Sequence, residues 1–225
     1  MSQQKNMNDP LNVDEALSSS EAFLFKNKNI ILGAVVALVV IVCAYMGYKH
    51  FISEPKELKA SELIFKGEQY FGAANYEAAL NGDSIAFAGF AKLSKEYSGT
   101  KAGNLATAYA GICCAQLGKY EDATKFLNEF SADDQLVAPA VMATIGNCYA
   151  QLGQLDKAAS TLIKAADNAN SIALSPLYLI QAGQILEKLG KNAEAVEAYK
   201  LVKSKYGNSY QAMDIDKYIE RASIK

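Results

Sequence analysis

The sequence predicts an all-α protein: a single N-terminal transmembrane helix followed by an α-solenoid of helical hairpins. Three observations carry that prediction. One uncharged run, IILGAVVALVVIVCAYMGY, extends from Ile30 to Tyr48. From Pro55 onward apolar residues recur at spacings of three and four, and alternating stretches suited to strands are scarce. Between Thr107 and Val202 the chain repeats itself, with equivalent glycines 35 and 37 residues apart.

Residues 1–29 form a polar N-terminal tail, of which 1–22, rich in Ser, Gln, Asn and Asp, read as largely disordered. Phe23, Phe25, Lys26 and Lys28 offer aromatic and basic anchors for one membrane interface, and Tyr45, Tyr48, Lys49 and Phe51 for the other. Residues 30–48 hold 19 residues without Asp, Glu, Lys, Arg, His or Pro. As a helix this run reaches roughly 28 Å, about the thickness of a bilayer's hydrocarbon core, so a lipid bilayer is its expected partner. Its Leu, Ile and Val residues together contribute roughly −3 to −6 kcal/mol of insertion free energy. A buried core helix seldom runs this long without a charge. A cleaved signal peptide would need a short basic start and a small-residue exit. Here Asp9, Asp14, Glu15 and Glu21 precede the run, and Tyr45, Met46 and Tyr48 crowd its end. Cys43 follows Val40-Ile41-Val42 and lacks the small neighbour that a lipidation site places there. Gly33 and Ala37 make a weak small-xxx-small pair for helix association.

Charge leaves the orientation open. Lys26 and Lys28 flank one side, and Lys49, Lys56, Lys59 and Lys66 the other. Counted literally, this would put the C-terminal part in the cytoplasm, yet long domains translocate largely regardless of charge.

From Phe51 on, 17 lysines and one arginine stand against 20 acidic residues. With no basic surplus, a nucleic-acid partner is not expected. His50 is the only histidine. Cys113 and Cys114 are adjacent, Cys148 lies in the next apolar stretch, and no C-x-x-C spacing occurs. Buried free thiols are the expected reading, with a Cys113–Cys148 disulfide as the alternative. Residues 49–56 read as a linker and 57–103 as a degenerate first helical pair. That pair has amphipathic segments Leu58 to Phe71 and Ile85 to Tyr97, joined through Asn81-Gly82-Asp83.

Residues 104–208 hold three repeats: AGICCAQLGKYEDATKFL, IGNCYAQLGQLDKAASTL and AGQILEKLGKNAEAVEAY. Each has an early glycine (Gly111, Gly146, Gly183) and a later one after Leu (Gly118, Gly153, Gly190). An alanine follows (Ala123, Ala158, Ala195), then a large residue (Leu127, Leu162, Tyr199). The early glycine lets two helices approach, and the later one ends the first helix in the left-handed conformation. The alanine allows close packing of the second helix, and the large residue fills the space between. Tyr210 to Ala222, within 209–225, reads as a C-terminal capping helix, since exposed apolar ends of an array need covering.

This pattern resembles the tetratricopeptide repeat (TPR) family. The second copy matches best, through Ile145-Gly146, Tyr149, Ala158 and Ala165; the others carry Cys114 and Leu186 in place of that tyrosine. No copy keeps the family's early tryptophan, and another helical hairpin array is the alternative. The resemblance implies an inner face lined by Ala108, Ile112, Gln116, Ala143, Asn147, Gln151, Ile180, Gln184 and Lys188. Amides beside small apolar residues suit an extended or helical polypeptide, although a merely solvated face would have the same composition. A TPR clamp for acidic C-termini is not expected, because its places hold mainly Ala108, Ile112, Thr144, Leu177 and Gln181.

The layout is also similar to YfgM-type proteins, ancillary subunits at the Sec translocon. The likeness rests on EPKELKASELIFKGEQYFGAANYEAALNG and FAKLSKEYSGTKAGNLA and covers most of residues 23–225. It implies a single-pass protein of the bacterial inner membrane with a periplasmic TPR domain. It also implies a membrane-anchored prolyl isomerase chaperone as a partner.

No catalytic set is visible: one histidine cannot furnish a triad or a metal site, and no phosphate-binding glycine motif occurs. Glu121-Asp122 and Asp133-Asp134 read as solvated or capping residues. The sequence therefore predicts a protein–protein interaction module with no enzymatic activity, no cofactor and no metal. The alternatives are a structural scaffold for a cell-envelope complex and a noncatalytic subunit of a membrane enzyme.

Overall fold

A computed structural model describes Leu24, residues 26–83 and residues 85–224. Residues 1–22, with Phe23 and Phe25, lie outside the described residues. Among those described, every regular element is helical, and the chain divides into two units between Pro55 and Lys56.

The first unit is built on α1 (Lys28–Tyr48), in which no residue is buried. Its apolar side chains face outward around the whole circumference, unlike a surface helix with a single apolar stripe. It is long and apolar enough to cross a membrane. A π-helical turn, Lys49–Ser53, follows, and the His50 ring nitrogen lies 3.1 Å from Glu54. Residues 49–56 are helical throughout.

The second unit takes in α2 (Glu54–Gly72) from Lys56 onward, and this helix buries only Ala60, Ile64 and Gly67. Glycine is needed at 67 because a Cβ would lie 2.5 Å from the rings of Phe87 and Phe90. A short α3 (Tyr76–Asn81) is capped by Asn75, whose side chain accepts from the Ala78 amide at 3.2 Å. The helix expected over Ile85 to Tyr97 begins only at Phe90, as α4 (Phe90–Glu96), and Ile85 is 95% exposed. Asp83 accounts for the difference. One of its oxygens accepts from the amides of Ile85, Ala86 and Phe87 at 3.0, 2.8 and 2.9 Å, drawing the chain into a turn. Gly89, at φ 88, then stops any helix from extending backward.

Three hairpins follow: α5 (Lys101–Gln116) with α6 (Tyr120–Glu129), α7 (Val137–Gln151) with α8 (Leu155–Ala169), and α9 (Ser175–Lys188) with α10 (Asn192–Lys205). The Glu57 carboxylate of α2 caps α5, accepting from the Lys101 and Ala102 amides at 2.7 and 2.8 Å. The first helix of each hairpin ends in the same way. Gly118, Gly153 and Gly190 have φ of 74, 73 and 73, and the next residue's amide donates to the carbonyl of Cys114, Tyr149 or Leu186. This is the Schellman arrangement, which glycine reaches without a Cβ penalty.

Within each hairpin the early glycine faces the large residue of the second helix. A Cβ on Gly111, Gly146 or Gly183 would come within 2.5, 2.9 or 2.4 Å of Leu127, Leu162 or Tyr199. Ala123, Ala158 and Ala195 are fully buried at the same interfaces. One core gathers Phe90, Leu93, Cys113 and Cys114, another Leu162, Leu179, Tyr199 and Ile215, and a smaller one Ala108, Leu127, Val141 and Ile145. A 3-10 turn (Tyr210–Asp214) and α11 (Ile215–Ile224) close the last hairpin through Ile215 and Ala222.

Candidate functional site

The first helices of the hairpins line two depressions. An apolar one, about 330 Å³, lies between α5 and α7. Leu105, Ala108, Tyr109 and Ile112 come from α5; Val137, Ala140, Val141 and Thr144 from α7; Leu136 and Leu174 complete it. Asp134 shapes its rim: its carboxylate accepts from the Leu136, Val137 and Ala138 amides, which starts α7 with Leu136 and Val137 still 66% and 42% exposed. Those bonds favour the ionised carboxylate and hold it below its ordinary pKa. Tyr109 contributes its ring without a loose hydroxyl, since that group donates to Glu68 at 2.8 Å. Burial, then the Glu68 bond, pushes its pKa up to about 12.

A polar depression of about 520 Å³ is lined by Asn147 of α7, by Gln181, Gln184, Ile185, Glu187 and Lys188 of α9, and by Arg221 of α11. Glu187 is its most constrained member, with a side chain only 6% exposed. It accepts from the Tyr199 hydroxyl at 2.7 Å and from both Nη2 and Nε of Arg221, at 2.6 and 3.1 Å. A two-pronged guanidinium contact of this kind fixes geometry as well as charge. Burial is the main cause that raises the Tyr199 pKa, and the bond to Glu187 raises that of Arg221. Gln181 has a buried side-chain oxygen with no hydrogen-bond partner among the described residues.

A family model, the tetratricopeptide repeat-like domain, matches residues 21–216. The chain belongs to this family. No curated protein matches it. The TPR-like assignment accounts for the helical hairpins and makes the chain a protein–protein interaction module.

Of the TPR-like inner-face residues expected from the sequence, Asn147, Gln184 and Lys188 meet in the polar depression and Ile112 lines the apolar one. Gln116 and Gln151 are exposed outside both linings. Ile180 is half-buried and packs on the core of the last hairpins, and Ala108 and Ala143 are buried. Tyr149 packs against that core, with the Lys157 ammonium 5.5 Å from its ring centroid. Sequence reasoning missed Leu105, Leu136, Val137 and Leu174. An apolar pair just before the α7 repeat, Leu136-Val137, was the available signal. It also missed Arg221, for which the repeat pattern holds no signal because α11 lies beyond it.

Cys113, Cys114 and Cys148 are buried and free. Burial pushes the Cys113 thiol up to about 12 and Cys114 to about 11, so both are neutral hydrophobes at physiological pH rather than nucleophiles.

Proposed function

We propose that this chain is a membrane-anchored, non-catalytic interaction module that holds polypeptide partners along the first helices of its TPR-like hairpins. The observation that carries the reading is the lining itself: an uncharged apolar hollow beside an amide-rich one, both open to solvent. Extended or helical polypeptide offers apolar side chains for the first and backbone donors and acceptors for the second. Residues 104–208 are proposed as the binding repeats, with 57–103 leading and 209–225 capping them. The apolar α1 supports a single-pass anchor through residues 30–48. Similarity of the layout to YfgM-type proteins supports a place in a bacterial inner membrane, with the TPR-like unit in the periplasm. There it would serve as an ancillary subunit of the Sec translocon beside a membrane-anchored prolyl isomerase chaperone.

The test is photocrosslinking in living cells from Gln184, on this face, and from Glu197, exposed on α10. Gln184 is expected to give polypeptide adducts, translocon subunits among them, with few from Glu197. Equal labelling from both positions, or none from Gln184, would sink the groove reading.

A further inference from the structure

Resting on that reading, we propose that the groove selects an extended polypeptide segment that pairs an apolar side chain with an acidic one. The apolar residue seats between α5 and α7, and the acidic one lies about four residues away, against Lys188.

Charge and continuity both point to this occupant. Helix α7 contains no charged residue, and α5 has only Lys101, at its first position. The apolar depression is lined without a single ionisable group other than the engaged Tyr109. In the polar depression Glu187 and Arg221 pair with each other, whereas Lys188 forms no ion pair among the described residues. The groove is thus uncharged at one end and cationic at the other, on a chain with net charge −2.

A basic segment would meet Lys188 with no free carboxylate to offset it. A wholly apolar one would leave Lys188 without a partner, whereas a carboxylate supplies one.

Both depressions are lined in part by α7, Thr144 lining one and Asn147 the other, about one helical turn apart. Gln181 is the repeat equivalent of Thr144, and from it to Lys188 is about 10 Å along the helix axis. Taken at right angles to one interhelical spacing of about 8–10 Å, this puts Lys188 about 13–14 Å from the Thr144 rim of the apolar depression, roughly four residues of extended chain.

The test uses full-length protein in neutral phosphatidylcholine nanodiscs and three labelled short peptides of Ser, Gly and Asn, read by fluorescence anisotropy. One carries Leu and Glu four positions apart, one has Lys for the Glu, and one has Ser for the Leu. The Leu/Glu peptide is expected to bind about tenfold tighter than either of the others. Lys188→Glu should reverse the preference for Glu over Lys. Ile112→Asp should abolish the preference for Leu, and the milder rim change Val137→Ser should weaken it, with helicity retained in both.

A Leu/Lys peptide binding as tightly as Leu/Glu, or a Glu preference that survives Lys188→Glu, overturns the proposal. If Asn147→Ala with Gln184→Ala still weakens binding in that case, the groove reading stands and only the partner chemistry is wrong. Absence of binding by all three peptides also overturns the proposal, and Gln184 photocrosslinks then show whether the groove reading falls with it.

Discussion

Gly183 and Gly146 occupy equivalent places but face different neighbours. A Cβ on Gly183 would lie 2.4 Å from the Tyr199 ring, which is fully buried and held by its hydroxyl to Glu187. A Cβ on Gly146 would lie 2.9 Å from Leu162 Cγ. Alanine in a helix gains up to about 1 kcal/mol over glycine, and overpacking a core costs typically about 1–3 kcal/mol. The rigid ring cannot yield, so Gly183→Ala is expected to lose about 1–2 kcal/mol. The Leu162 side chain can turn, and Gly146→Ala is expected to stay near neutral. Urea unfolding followed by circular dichroism checks both; an unchanged Gly183→Ala midpoint would refute the packing argument.

At the scale of elements, the turn before α4 depends on one carboxylate. Asp83 accepts the Tyr70 hydroxyl at 2.5 Å as well as three backbone amides. The Tyr70 bond first, then those to the amides, hold its pKa well below the ordinary value of 3.8. A depressed carboxylate stabilises the fold above its unfolded pKa, and that stabilisation is lost as pH falls toward the folded value. Stability is therefore expected to drop below about pH 4, and Asp83→Asn should flatten that part of the curve. Unfolding midpoints measured across this range decide it; an unaltered acid slope in Asp83→Asn would count against the carboxylate's role.

This turn also shows what periodicity conceals. The apolar pattern from Ile85 to Tyr97 fits a helix, but it takes no account of four hydrogen bonds drawn to a single side chain. The ends of α5, α7 and α9 were legible because a Schellman turn is local, needing little more than glycine after the last helical residue.

For the molecule as a whole, the proposed single-pass anchor makes the side of the membrane that the TPR-like unit faces decisive for which partners it can meet. The lysines on either side of α1 do not settle it, because a long domain can cross largely regardless of charge. A protease applied to cells with a C-terminal tag is expected to digest the tag only after the outer membrane is opened. Protection until the inner membrane is lysed would place the unit in the cytoplasm, and the translocon reading would then fall behind that of a scaffold on the cytosolic side.

The sequence by itself determined the helical class, the apolar run and the positions where hairpins turn. Each of these depends on composition or on neighbours within a turn or two of helix. Only the tertiary structure decided which inner-face residues share a depression. Asn147 and Lys188 meet from different hairpins, while Gln116 and Gln151, equivalent by repeat to Lys188, lie outside both linings. It also decided the charge of the groove. Glu187 and Lys188 are adjacent in the chain, yet Glu187 is bound by Tyr199 and by Arg221, the latter 34 residues away. That neutralisation requires α11 to dock on the last hairpin, a long-range event that no local pattern records.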